Sequence, residues 1–165
     1  MERITQLIAD LTEYDSIAEG LKAGKSPVEV TGLAPIHKAN LTAALAGQLH
    51  KQAVVICADD LACSRMARDL EAFSERPVEI LPAREFVFHN IESSSREYEH
   101  KRISALRNLR LGKKTIVTTV PALLMATMPP EKMQEAMFSI DFNGEYEICL
   151  LYTSPSPRDR SVSRM

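Results

Sequence analysis

Gly32-Leu33-Ala34-Pro35-Ile36-His37-Lys38-Ala39 stands where a short apolar run, Val28-Glu29-Val30-Thr31, gives way to a helical pattern. A strand-to-helix turn of this kind is where an open α/β sheet gathers helix N-terminal amides and can hold an anion. Against the phosphate-binding spacing G-x-x-x-x-G-K-[ST], the segment keeps Gly32 and Lys38 but carries His37 for the second glycine and Ala39 for the metal-binding hydroxyl. A Cβ at the second glycine obstructs the backbone from wrapping phosphates, Pro35 removes one donor amide, and alanine cannot ligate Mg²⁺. Gly32 and Lys38 are therefore the candidate nucleotide-binding residues of a degenerate loop. A vestigial turn is the reading favoured over nucleotide hydrolysis.

Val54-Val55-Ile56-Cys57-Ala58-Asp59-Asp60 resembles an acidic strand end that holds Mg²⁺ through water, but helix capping by Asp59 and dipole matching by Asp60 account for both carboxylates without a metal. Residues 96–114 concentrate seven basic side chains against Glu97 and Glu99. Within that run Arg96, Lys101, Arg102, Arg107 and Arg110 are candidate contacts for DNA phosphates or an acidic partner, although no aromatics interleave them for base stacking and a solvated helix face is the plainer reading. His37, His50, His89 and His100 are scattered, with no nucleophile placed beside them, so no catalytic residue is assigned. Cys57, Cys63 and Cys149 form no C-x-x-C and have no His pair at ligand spacing, which reads as free thiols in a reducing compartment and no metal site.

The elements that must position these residues alternate between β-rich apolar runs and helical patterns, the mark of βαβ units and a parallel sheet. Ile4, Leu7, Ile8 and Leu11, then Ile17 and Leu21, predict an N-terminal helical pair over 1–26, stopped by Gly24 and Pro27. Val28–Gly32 predicts the first strand, and Leu41, Leu45 and Leu49 its helix over 40–50. Ala53–Ala58 predicts an unalternating buried strand, followed by a helix whose apolar face is Leu61, Met66, Leu70 and Phe73. Val78–Pro82 predicts a third strand, 83–95 a loop, and 96–111 a helix with Tyr98, Ile103, Ala105, Leu106 and Leu109 inward, stopped by Gly112. Thr115–Val120 predicts a fourth strand, with Pro121 starting a helix over 122–126 and a further helix over 129–137. Phe138–Phe142 reads as one more strand.

The chain has 165 residues, 20 Lys+Arg against 22 Asp+Glu and a net charge of −2, with 45% hydrophobic residues. That is ordinary globular composition, and a fold of this size buries about 70% of its unfolded surface, so neither disulfide nor metal is needed to hold it. A near-neutral balance excludes a surface that binds nucleic acid everywhere and leaves room for a local basic face. No signal pattern opens the chain and no apolar run reaches the roughly 18 residues of a membrane span, so the expected location is the cytoplasm, away from membranes. From Cys149 to Met165 periodicity gives way to Ser, Pro and Arg, in the manner of a translated library-adapter tail; a natural disordered tail is the alternative. Without that tail, residues 1–148 carry 17 Lys+Arg against 21 Asp+Glu and are mildly acidic.

Val30-Thr31-Gly32 with the broken phosphate loop, Leu81-Pro82-Ala83-Arg84-Glu85-Phe86, Ser95-Arg96-Glu97-Tyr98-Glu99-His100-Lys101-Arg102, and Ile116-Val117-Thr118-Thr119-Val120-Pro121-Ala122-Leu123-Leu124 together resemble the N-terminal region of bacterial transcription-repair coupling factors. The resemblance covers nearly all of residues 1–148, and its most specific piece is Leu81–Phe86 followed by Ser95–Glu99. It implies an α/β, RecA-like (P-loop NTPase-like) parallel-sheet lobe with flanking helices and a degenerate phosphate loop, similar to the first domain of excinuclease B, over 27–137. Residues 138–148 would begin the following lobe and 149–165 would be the non-native tail. Only 82–95 separate Leu81 from Arg96, with Phe86 and Phe88 as the aromatics, too short for the DNA-gripping hairpin of excinuclease B.

The parent protein so implied recognises stalled RNA polymerase, displaces it from DNA with an ATP- and Mg²⁺-dependent translocase of helicase type, and recruits excinuclease A through its N-terminal module. The present chain would be an interaction and autoregulatory module of that parent, with no cofactor and no catalysis of its own. Two alternatives compete: an excinuclease B-like ATP-binding repair protein whose loop tolerates His37 and Ala39, and a stand-alone DNA- or phosphate-binding domain that uses the basic face of 96–114.

Overall fold

The computed structural model describes residues 8, 10–83 and 96–136. They form α1 (Thr12–Lys22), α2 (Pro35–Gln48), β1 (Val54–Cys57), α3 (Asp60–Phe73), β2 (Val78–Leu81), α4 (Arg96–Leu111), β3 (Thr115–Thr119), α5 (Val120–Leu124) and α6 (Pro130–Glu135). The expected phosphate-loop strand does not form: Val28–Gly32 lies outside every strand, and Val28 and Val30 remain exposed. Without a neighbouring strand to accept their backbone groups, two valines over a polar Glu29 bury too little apolar surface to order a strand by themselves. α2 begins at Pro35, five residues before its predicted start, because proline's fixed φ suits the first helical position.

The sheet is small and parallel, in the order β1-β3-β2. Parallel pairing with β1 sets Val54 opposite Ile116 and Ile56 opposite Thr118, and pairing with β2 sets Glu79 opposite Ile116 and Leu81 opposite Thr118. Alternation then assigns the two faces. One face carries Val55, Val78, Ile80 and Val117 beneath α3, whose Cys63, Ala67 and Leu70 recur at helical spacing, with Ala39 of α2 in the same cluster. The other carries Ile116 and Leu81 beneath α4, which contributes Ala105, Leu106 and Leu109. β3 is therefore covered on both faces and all five of its residues are buried, which its β-branched run Thr-Ile-Val-Thr-Thr suits.

β1 departs from its predicted character. Val54 and Ile56 are 44% and 54% exposed, so the strand alternates where burial on both faces was expected. α4 reaches across β2 and β3 and leaves β1 open on that side. Two further apolar residues predicted inward, Leu61 and Ile103, are 61% and 56% exposed, because the helix faces turn to Cys63 and Ala67 in one case and to Arg102 and Ala105 in the other. The boundaries of α3 and α4 otherwise follow their stop signals: Asp59 Oδ1 accepts the Ala62 amide at 2.7 Å, and Gly112 takes φ of +65° just past Leu111.

The chain divides into two compact units between Ala126 and Thr127, so α6 belongs to the second unit. The predicted strand over 138–142, the lobe start over 138–148 and the tail over 149–165 lie outside the described residues, as does the first stretch of the N-terminal helical pair.

Candidate functional site

Ala39 packs with Cys63 and Cys57, so the first turns of α2 and the β1–α3 turn meet at the C-terminal end of β1, where an open α/β sheet places a ligand. Gly32 has φ of +79°, the conformation that favours glycine at a tight turn, and its vacant Cβ position faces open space. Lys38 is exposed on the first turn of α2. Two nearby donors are engaged and one is missing: Pro35 has no amide hydrogen, and the amides of His37 and Lys38 both donate to Ala34 O, at 2.9 and 3.1 Å. The position that would present a metal-binding hydroxyl is Ala39, wholly buried in the core. Thr42, the next hydroxyl on the helix, is turned back onto Lys38 O at 2.7 Å. The arrangement offers one exposed ammonium, no helix hydroxyl free for a metal at Ala39 or Thr42, and the His37 and Lys38 amides already turned to Ala34 O.

At the same sheet end, Asp59 is occupied as the cap of α3 and Asp60 lies in its first turn. Among the described residues no three His, Cys, Asp or Glu side chains converge on a point that could hold a metal. Burial, and then the neighbouring Cys57, push the Cys63 thiol up to about 12, so it stays protonated and inert at neutral pH.

The basic run divides by environment. Arg102 is 8% exposed and anchors structure: Nη1 donates to Pro82 O at 3.0 Å and Nη2 to Ala122 O at 2.9 Å. Tyr98, one turn earlier, donates its hydroxyl to the same Pro82 O at 3.3 Å. Together they tie α4 to the end of β2 and to α5. Arg102, expected among the candidate contacts, is thus engaged within the fold, where one arm of its guanidinium fork reaches the carbonyl after β2 and the other a carbonyl of the short α5. Lys114 pairs with Glu79 at 3.1 Å and Lys101 with Glu97 at 2.9 Å. Arg107, Arg110 and Lys113 are exposed, and the side chain of Arg96 lies outside the described residues.

Glu79 is a further feature that sequence inspection passed over. It sits on the α4 side of β2 and accepts from Ser104 Oγ at 2.7 Å and Asn108 Nδ2 at 2.6 Å besides its pair with Lys114. Burial raises its carboxyl, but the hydrogen bonds from Ser104, Asn108 and Lys114 outweigh that and hold it below the usual range. Gln52 closes the same corner, donating to Lys114 O at 2.6 Å and Asn108 O at 3.3 Å. The signal in the sequence was Ser104 and Asn108 four apart on one flank of a helix, with a glutamate in a neighbouring strand run.

Compared with known proteins, the chain is 26% identical over 131 residues to the transcription-repair-coupling factor of Bacillus subtilis (strain 168), covering 79% of this chain and 11% of that protein. The chain thus spans about a tenth of the curated relative it matches, and the similarity marks a distant relation. No family model matches the chain. No solved structure matches it.

Proposed function

We propose that this chain is an N-terminal interaction and autoregulatory module of a transcription-repair coupling protein, a degenerate RecA-like lobe that performs no nucleotide chemistry itself. The relation to the Bacillus subtilis factor over 131 residues is the observation that carries the reading. The first turn of α2 supports its second half, since Pro35, His37 and Ala39 replace the groups a phosphate loop needs and the nearby amides are engaged by Ala34 O. In this reading, ATP, Mg²⁺, DNA translocation and displacement of RNA polymerase belong to other parts of a cytoplasmic parent. Recruitment of excinuclease A belongs largely to sequence beyond Pro130. Burial of Arg102 and pairing of Lys114 speak against the alternative of a stand-alone DNA-binding helix.

A fluorescent ATP analogue titrated into the chain with and without Mg²⁺ tests the reading. The expected result is no Mg²⁺-dependent saturation up to about 1 mM, the weak end of specific affinity. Micromolar binding that requires Mg²⁺ and disappears in Lys38→Ala overturns it in favour of an excinuclease B-like nucleotide site.

A further inference from the structure

Cys57 is the last residue of β1 and Cys63 lies in the first turn of α3, with only Ala58–Ala62 between them. Along β1 the side chains of Val55 and Cys57 share the face beneath α3, since Val54 and Ile56 point away and are exposed. From the other layer α3 turns Cys63, Ala67 and Leu70 onto the sheet, and Cys57 packs against the cluster they form with Ala39 and Val117. The two thiols therefore meet between strand and helix, close enough for the Cys57 side chain to hydrogen-bond the Cys63 thiol. Their access to solvent differs: Cys63 is 1% exposed, whereas Cys57 is half-buried. Packing alone asks only for small apolar groups here; a pair of sulfurs adds chemistry.

We propose that Cys57 and Cys63 form an oxidisable dithiol that a hydroperoxide closes into an intramolecular disulfide, with Cys57 attacked first and Cys63 resolving it. In the first step the Cys57 sulfur bonds to one peroxide oxygen as the O–O bond breaks; the other oxygen leaves as water with the thiol proton, and Cys57 becomes a sulfenic acid. In the second the Cys63 sulfur bonds to the Cys57 sulfur as the S–O bond breaks, and the hydroxyl leaves as a second water with the proton of Cys63. The two thiols are oxidised by two electrons in all, and the peroxide is reduced to water. Burial keeps Cys63 protonated and closed to reagents in solvent, so it does not begin the reaction. Held against Cys57, it acts at the high effective concentration of a neighbour on the same scaffold, which offsets its small thiolate fraction. Oxidation of Cys57 to a neutral sulfenic acid also removes the thiolate charge that helps hold the Cys63 thiol up. The bridge fastens the end of β1 to the first turn of α3, a turn otherwise held by the Asp59 cap. A reducing compartment keeps the pair open until oxidant rises, the setting in which transient disulfides act as sensors.

Trypsin, cutting after Lys51 and Arg65, releases both cysteines in one peptide, Gln52–Arg65, so closure can be read by mass. The 165-residue chain is treated with hydrogen peroxide, unfolded in N-ethylmaleimide and digested without reductant. That peptide should emerge unlabelled and lighter by two hydrogens than its reduced form, and dithiothreitol before labelling should restore both labels. Cys63→Ala should leave Cys57 as a sulfenic acid captured by dimedone, and in folded Cys57→Ala the buried Cys63 should be oxidised at least about tenfold more slowly than Cys57 is in the parent chain. If Cys63→Ala does not fold, the parent peptide still decides closure and Cys57→Ala still decides the order. A peptide that takes both labels after peroxide sufficient to oxidise free glutathione overturns the proposal. So does a sulfinic or sulfonic Cys57 beside a labelled Cys63, a Cys57 bridged to Cys149 in place of Cys63, and a Cys63 oxidised in Cys57→Ala as fast as Cys57 is in the parent chain.

Discussion

Arg102 illustrates how one side chain changes meaning with its surroundings. Its guanidinium donates to Pro82 O and Ala122 O at 3.0 and 2.9 Å, so removing it leaves the buried Ala122 O without its donor and Pro82 O with Tyr98 alone. Arg102→Ala should cost about 1–3 kcal/mol in urea denaturation, and Arg102→Lys should recover less than half, since an ammonium cannot reproduce the fork. Glu79 makes the complementary case on the acid side. Its folded pKa is depressed by Ser104, Asn108 and Lys114, so its contribution to stability is complete above the unfolded value of about 4.3 and is lost as pH falls through the lower folded value. Glu79→Gln should therefore lower stability by about 1–2 kcal/mol at neutral pH, with the gap to the parent chain narrowing below about pH 4. A gap that stays constant on acidification would show that the charge of Glu79 contributes nothing.

The elements are held by a few end signals and by cover. Asp59 caps α3 through a 2.7 Å bond to Ala62, so Asp59→Ala should lower the thermal midpoint by the equivalent of about 1 kcal/mol, while Asp59→Asn, which retains an acceptor oxygen, should stay close to the parent. Signals of this kind are local, and they are why α3, α4 and β3 were legible: Asp59, Gly112 and the run Thr115–Thr119 each act through their own backbone neighbourhood. Val28–Gly32 was misjudged because a strand exists only with a partner, and nothing in its composition says whether one is present. The same ignorance of partners hid the exposure of Val54 and Ile56, whose apolar run suits a central strand as well as an edge. At the candidate site, the losses at His37 and Ala39 could be read from the sequence. The engagement of the His37 and Lys38 amides by Ala34 O could not, because it depends on how tightly the first turn of α2 winds.

For the molecule as a whole, charge placement decides what it can bind at a distance. The chain is at −2 overall, and its seven basic residues over 96–114 would suggest a strong local field if all faced solvent. Arg102 is buried on carbonyls and Lys114 is held by Glu79, while Lys101, one turn from Glu97, and Arg107, Arg110 and Lys113 are the exposed cations among the described side chains of the helix and its end. Each phosphate neutralised contributes about −0.9 to the slope of log affinity against log salt, so four contacts allow a slope of about −4 where seven would give about −6. Fluorescence anisotropy of a labelled duplex between about 50 and about 200 mM salt should accordingly give weak binding with a slope no steeper than about −4. Arg107→Ala should flatten it by about 1, and Arg102→Ala should leave it unchanged in any preparation that remains folded, because a cation already engaged by carbonyls releases no counterion from DNA. A slope near −6 would return the helix to the status of a nucleic-acid contact and require the Lys101–Glu97 and Lys114–Glu79 pairs to open when DNA arrives.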